Sequence, residues 1–468
     1  MSQLPRILII LFVVLLISCN KNEGHLYPVL SFSEDTVYFD TVFSSIGSAT
    51  HELRVKNNTG RSINIDKIAL AGGDKSAFRL NIDGEPATLK NNIELEPYDS
   101  IFCFVDVNVD PAGKDSPVAI TDSILFSISG SLQKVQLLAW GQDIVLLKDT
   151  IIKSSDWTAG RPYVIYGNIL VDTSETLTIH DSTRVYFHWN GGMKVAGKLI
   201  ASGSVTRPIE FAGDRTEAIY EDIPGQWNGL IFLNTSQGNV LNNLRIKGAI
   251  TGVKIGEGFF SGTMPDMQIS NTSVMHASVS CLVSVNATVN AWNCVFSHSG
   301  SSCINISSGG DYSFTHCSVF NSWDYGYRLA PAVLISENAS VKAYSGNNLN
   351  FSFKNSVVYG DLNSEFVISA AGDLFTGSYV VDHCLLKLDT VKAKFWSPAF
   401  FSGNQVNRNP GFENTIVYDL RPDTLSPLID KAYQGWSTPY PFDFRGHDRF
   451  ADGKPDIGAF ERLPGGLK

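Results

Sequence analysis

Asn293-Cys294-Val295-Phe296, His316-Cys317-Ser318-Val319, Asn355-Ser356-Val357-Val358 and His383-Cys384-Leu385-Leu386 are four copies of one phrase. It reads Asn or His, a small or thiol residue, any residue, then an apolar one. Two earlier copies, Asn243-Leu244-Arg245-Ile246 and Asn271-Thr272-Ser273-Val274, bring the set to six, with starts 28, 22, 23, 39 and 28 residues apart. A second phrase keeps step: Gly252-Val253-Lys254-Ile255, Cys281-Leu282-Val283-Ser284 and Cys303-Ile304-Asn305-Ile306, 29 and 22 apart. Two short β-type phrases locked at a period near 22 predict a parallel β-solenoid, each rung one turn of chain. Rungs pairing in parallel about 4.8 Å apart stack equivalent residues into columns. Thr272, Cys294, Cys317, Ser356 and Cys384 form one such column of small side chains. Asn271, Asn293 and Asn355 fall at turns, because Asn tolerates left-handed backbone.

Outside the repeat, 43% hydrophobic residues suffice for buried cores, and 468 residues suggest two or three domains. Charged residues make up only 18%, and 40 glycines accompany them, as in a turn-rich β protein. The 36 basic and 46 acidic residues leave a net charge of -10, which argues against a nucleic-acid partner.

The chain opens with Arg6, an apolar run from Ile7 to Ile17, and Ser18-Cys19. The run is too short to span a bilayer and has the layout of a secretory signal. Leu16-Ile17-Ser18-Cys19 resembles the lipobox of bacterial lipoproteins, which implies removal of residues 1–18 and acylation, such as palmitoylation, of Cys19. Acyl chains there would hold the protein on a membrane. Asn20 rather than Asp, by resemblance to Gram-negative sorting signals, implies the outer membrane, at its cell-surface or periplasmic face. The six remaining cysteines form no CxxC pair, so metal and thioredoxin-like readings fail on spacing. Cys281 with Cys303, and Cys294 with Cys317, sit at matching places in neighbouring rungs. An oxidising compartment permits disulfides there; stacked free thiols acting as small apolar fillers are the expected arrangement.

Residues 19–27 read as a polar tether. From Leu30 the pattern becomes alternation, at Val37, Phe39, Leu53, Val55, Ile63 and Ile65, broken by turns such as Asn57-Asn58-Thr59-Gly60. Short alternating strands over residues 28–148 predict a β-sandwich. The runs Gly47 to Asn57 and Leu95 to Ser100 resemble immunoglobulin-like modules near the membrane end of bacterial surface proteins. Residues 149–410 read as the solenoid. Gly192 to Leu199, Arg207 to Phe211 and Pro224 to Leu230 resemble the opening rungs of right-handed parallel β-helix proteins of the pectin-lyase-like fold. Residues 411–468 read as a C-terminal cap. Asp443-Phe444-Arg445-Gly446-His447-Asp448-Arg449, followed by Asp452 to Glu461, resembles the terminal signature of secreted β-helix proteins. Its alternating Asp and Arg suit a tied, turn-rich cap over an open solenoid end. A Ca²⁺ site at Asp452 and Asp456 is the lesser reading, since the spacing is not that of an EF-hand. The fold class is therefore all-β: sandwich, parallel β-helix, cap.

That resemblance implies polysaccharide lyases or hydrolases, yet the fold carries many functions. Polygalacturonase-like sets of paired Asp, Gly-His-Gly and Arg-Ile-Lys are missing except for Arg245-Ile246-Lys247, in which Arg245 and Lys247 read as outward-facing strand residues. No catalytic set, cofactor motif or metal cluster is assigned. His276, His298 and His316 recur near the phrase but read as inequivalent rung residues. The long step from His316 to Asn355 must eject a loop, and it contains Trp323-Asp324-Tyr325-Gly326-Tyr327-Arg328. Trp323, Tyr325 and Tyr327 suit stacking on sugar rings, and Asp324 and Arg328 suit bonding to hydroxyls. A weaker second loop runs from Glu257 to Pro265 and carries Phe259-Phe260. The expected function is a lipid-anchored, non-catalytic envelope module that binds glycan or another envelope partner. The alternatives are a polysaccharide lyase or glycoside hydrolase, and a purely structural envelope component.

Overall fold

The computed structural model describes residues 30–257, 262–337, 346–370, 375, 377–390 and 403–463. Cys19 and the Phe259-Phe260 tip lie outside the described residues. The chain divides into two compact units between Asp143 and Ile144.

In the first unit, alternation builds two five-stranded sheets. One runs Leu30–Phe32, His51–Asn57, Ser100–Val107, Phe78–Ile82, Glu85–Pro86; the other runs Thr36–Phe43, Ser131–Gln142, Val118–Ile128, Ile63–Leu70, Leu89–Leu95. Pairing is antiparallel except between Thr36–Phe43 and Ser131–Gln142. Every second residue points inward, so Leu53, Val55 and Val105 of one sheet share a core with Val37, Ile65 and Ile124 of the other. Asn57 closes its turn by donating to the carbonyls of Arg61, Leu95 and Glu96.

The second unit is a coil with three parallel ladders. The first contains eleven strands, and six of them carry the repeated phrase. Ile246, Val274, Phe296, Val319, Val358 and Leu386 stand in one interior column. The second phrase stacks likewise, Val253 on Leu282 on Ile304. The long strands Ser280–Trp292 and Ile304–Thr315 each cross two faces, joining the other two ladders into one sixteen-stranded sheet. Asn243, Asn271, Asn293, His316, Asn355 and His383 all take positive φ, between 48° and 55°. The column behind them, Thr272, Cys294, Cys317, Ser356 and Cys384, is wholly buried. The six described cysteines are free, buried thiols. Desolvation raises Cys103 and Cys384 to about 12, which makes these two poor nucleophiles.

Earlier rungs hold larger fillers. Trp227, in the segment Pro224 to Leu230, stacks on Phe187 at 4.1 Å and donates from Nε1 to the Lys247 carbonyl. The expected all-β class, a β-sandwich followed by a parallel β-helix with a C-terminal cap, is the observed one.

The described cap lies along the flank of the coil. Leu428 and Ile457 cover Val357 and Leu385, while Leu420, Phe444 and Ala459 cover Val295 and Phe320. These coil residues are the outward positions of the first ladder, next to the interior column in each phrase. The Asn and His turns bond the cap directly. Asn293 donates to the Phe442 carbonyl, and Asn355 donates to that of Tyr433. His316 Nε2 lies 2.8 Å from Ser437 Oγ and 3.1 Å from the Asn355 amide. Its Nδ1 faces the Gly458 carbonyl at 3.3 Å, so that nitrogen carries the proton of a neutral ring. Burial holds His316 well below the usual histidine range.

Candidate functional site

The loop after Ser318–Asn321 leaves the first ladder at Ser322 and re-enters the coil at Val333–Glu337. Its base is fastened by Arg328. The guanidinium is buried and donates to both Glu365 oxygens, at 2.8 and 2.5 Å, and to the carbonyls of Ala330 and Asn321. Glu365 also accepts from the Ala332 and Leu362 amides. With its donors committed inward, Arg328 anchors the loop. Glu365 stands in the interior column of Cys281, Cys303 and Ala332, as the one acidic side chain among these four. A bidentate pair at that depth, with further bonds to backbone, holds both ends of the loop in one arrangement.

Above this anchor Tyr325 and Tyr327 are exposed. Trp323 is half-buried over Gly300, where an added Cβ would meet the indole at 3.0 Å. The Tyr325 ring sits 5.3 Å from Trp323, is 54% exposed, and its hydroxyl reaches the Asp222 carbonyl at 3.4 Å. Tyr327 is fully exposed, and Asp324 is exposed beside it. Partial burial, with Asp222 and Asp324 nearby, pushes the Tyr325 phenol up.

Next to Tyr325 lies a group of titratable side chains with no motif behind it. His276 and His298 are equivalent, contrary to the sequence reading: Met275 pairs with Ser297 and Ala277 with Ser299. Each lies five residues after its turn Asn, Asn271 or Asn293, and that shared offset was the signal available in the sequence. The two rings lie 5.4 Å apart, and Tyr418 of the cap meets both edge-on, at 4.5 and 4.6 Å. Asp222 stands 3.4 Å from His276 Nε2. Burial lowers His276; burial and the neighbouring His276 bring His298 down to about 3. Both rings are therefore neutral at ordinary pH, and only 4% and 5% exposed.

Arg245 and Lys247 have the outward geometry expected of them, on either side of the inward Ile246. Arg245 packs on the Phe444 ring at 4.6 Å, and Lys247 pairs with Glu221 at 3.2 Å. In the terminal signature, Asp443 accepts the amides of Arg445, His447 and Glu461, while Asp456 accepts those of Asp430 and Arg462. Asp452 is exposed. Arg449 is wholly buried and bonds Asn293 Oδ1 and the Gly458 and Ala459 carbonyls, with Glu461 at 3.4 Å.

No family model matches this chain, and no curated protein matches it. Among solved structures, a family 123 glycoside hydrolase from Clostridium perfringens is similar over 28% of this chain and 30% of its own, at 7% identity and a TM-score of 0.19. A protein of unknown function from Porphyromonas gingivalis W83 is similar over 27% of this chain and 60% of its own, at 10% identity and a TM-score of 0.19. The chain thus spans less than two thirds of either one.

Proposed function

We propose that this chain is an outer-membrane lipoprotein, held by acylated Cys19, whose coil presents a glycan-binding loop. In this reading the sandwich is an immunoglobulin-like spacer between the lipid and a pectin-lyase-like coil. The observation that carries it is the anchored loop. Two exposed tyrosines and a half-buried tryptophan stand on a base locked by Arg328 and Glu365, so little ordering remains to be done when a sugar ring stacks on them. Trp323, Asp324, Tyr325 and Tyr327 form the contact surface, and Arg328 holds it in place.

Affinity electrophoresis of the full chain in detergent tests this, through gels containing plant, host and bacterial polysaccharides. Retardation by one polymer, lost in Trp323→Ala and Tyr327→Ala, is the expected result. No retardation by any polymer sinks the reading for that panel and leaves a protein partner or a structural envelope role. Metabolic labelling with a palmitate analogue, lost in Cys19→Ala, tests the anchor.

A second reading, polysaccharide lyase or hydrolase, draws on Asp222, His276 and Tyr418 beside the same loop. A neutral imidazole with a carboxylate behind it and a phenol against it is a proton-transfer set in composition. Its burial weighs against contact with substrate. Shortening of the bound polymer, abolished by His276→Gln, would favour this reading over simple binding.

A further inference from the structure

A groove of about 840 Å³ lies where the last strand of the first ladder, Gln405–Val406, meets the cap segments 430–434 and 454–455. That volume suits a short oligosaccharide. Arg408, Lys431 and Lys454 line it against one carboxylate, Asp430. This is a local positive excess in a chain whose net charge is -10. All three cations are exposed, and none forms an ion pair among the described residues. Arg408 makes one long bond, 3.4 Å to Gln405. Tyr433 supplies a ring that is 48% exposed. Its backbone is held on both sides by Asn355, which accepts from the amide and donates to the carbonyl. His383 backs the ring at 5.2 Å. Unpaired cations around a fixed aromatic face combine charge attraction with stacking.

We infer that this groove is a second binding site, for an acidic glycan: a short run of sugars bearing carboxylate or sulfate groups. The inference rests on the reading of the protein as a glycan binder and adds the sugar class. Tyr433 stacks on one ring, while Arg408, Lys431 and Lys454 meet the anionic groups around it. The overall negative charge disfavours a long, dense polyanion, so only the segment seated in the groove is attracted.

Calorimetric titration of the full chain with tri-galacturonate, its neutral methyl ester, a sulfated trisaccharide and a single-stranded oligonucleotide tests this. The acidic trimer is expected to bind roughly tenfold more tightly than its ester, and Lys431→Ala with Lys454→Ala to remove roughly that factor. The sulfated arm separates carboxylate from sulfate recognition, and binding of either supports the site. Equal binding of acid and ester, no binding of any acidic sugar, indifference to the lysine changes, or tighter binding of the oligonucleotide overturns it. If a polymer is retarded through Trp323 while the groove shows no acid preference, the loop reading stands and this one falls. If the groove binds and no polymer engages the loop, the reverse holds.

Discussion

Two buried arginines in the coil unit each face a buried glutamate, and the pairs are built differently. Arg328 and Glu365 meet through two bonds, and backbone groups take up the remaining donors of both Arg328 terminal nitrogens and add a bond to each Glu365 oxygen. Arg449 and Glu461 share a single 3.4 Å contact. Arg449 Nε and Glu461 Oε1 find no hydrogen-bond partner among the described residues. Burial, with Asp456 beside it, pushes Glu461 up to about 9, and burial raises Asp456 to about 6. In the second pair desolvation wins, and the glutamate holds its proton at neutral pH. The clamp beneath the exposed loop is bidentate. The tie in the cap joins a guanidinium to a protonated acid.

Glutamine at each position breaks the comparison most directly. Glu365→Gln strips the charge from a bonded pair and strands the Arg328 guanidinium. The cost should be about 3–5 kcal/mol, read as a fall in the urea midpoint of the coil, with faster amide exchange over residues 322–331. Acidification gives the next largest effect, through His298. Its folded value near 3 lies below the unfolded one, so its contribution is complete above about 6.5 and is lost as pH falls towards 3. His298→Gln should recover on the order of a few kcal/mol on that acid limb, and thermal melts across pH measure it. Glu461→Gln should carry no cost at pH 7 and should stabilise instead, because glutamine mimics the acid already protonated in the fold while only the unfolded glutamate ionises. Sign matters here: a raised carboxyl contributes stability that is complete below its unfolded value near 4.5 and lost as pH climbs to about 9. The glutamine variant should therefore lose less stability over that interval than the parent. A cost for Glu461→Gln equal to that for Glu365→Gln would erase the distinction. Smallest of all, Tyr327→Ala should shift stability by less than about 0.5 kcal/mol while removing a glycan contact.

Much of the coil was legible before any coordinates. The phrase spacing placed Ile246 through Leu386 in one column, and the structure keeps that register rung by rung. The turn asparagines were readable because a left-handed residue leaves a local mark in composition; the same logic extends to His316 and His383, which share that backbone. The exposed aromatic loop was readable from rung length alone, since extra residues must leave the coil. Arg328 was not. Its partner is Glu365, 37 residues on, and nothing near Arg328 in the chain distinguishes a sugar-binding guanidinium from a buried one.

By itself, then, the sequence determined the all-β class, the rung period, the interior columns and the place where chain bulges outward. Each of these is encoded by neighbours one rung apart. Only the tertiary structure decided that the cap runs along the flank, that Tyr418 closes over His276 and His298, and that Arg449 reaches Asn293 across 156 residues. Repetition specifies how a rung stacks on the next. It carries no information about a non-repeating segment, whose position follows from which exposed face offers apolar cover and unpaired turn amides.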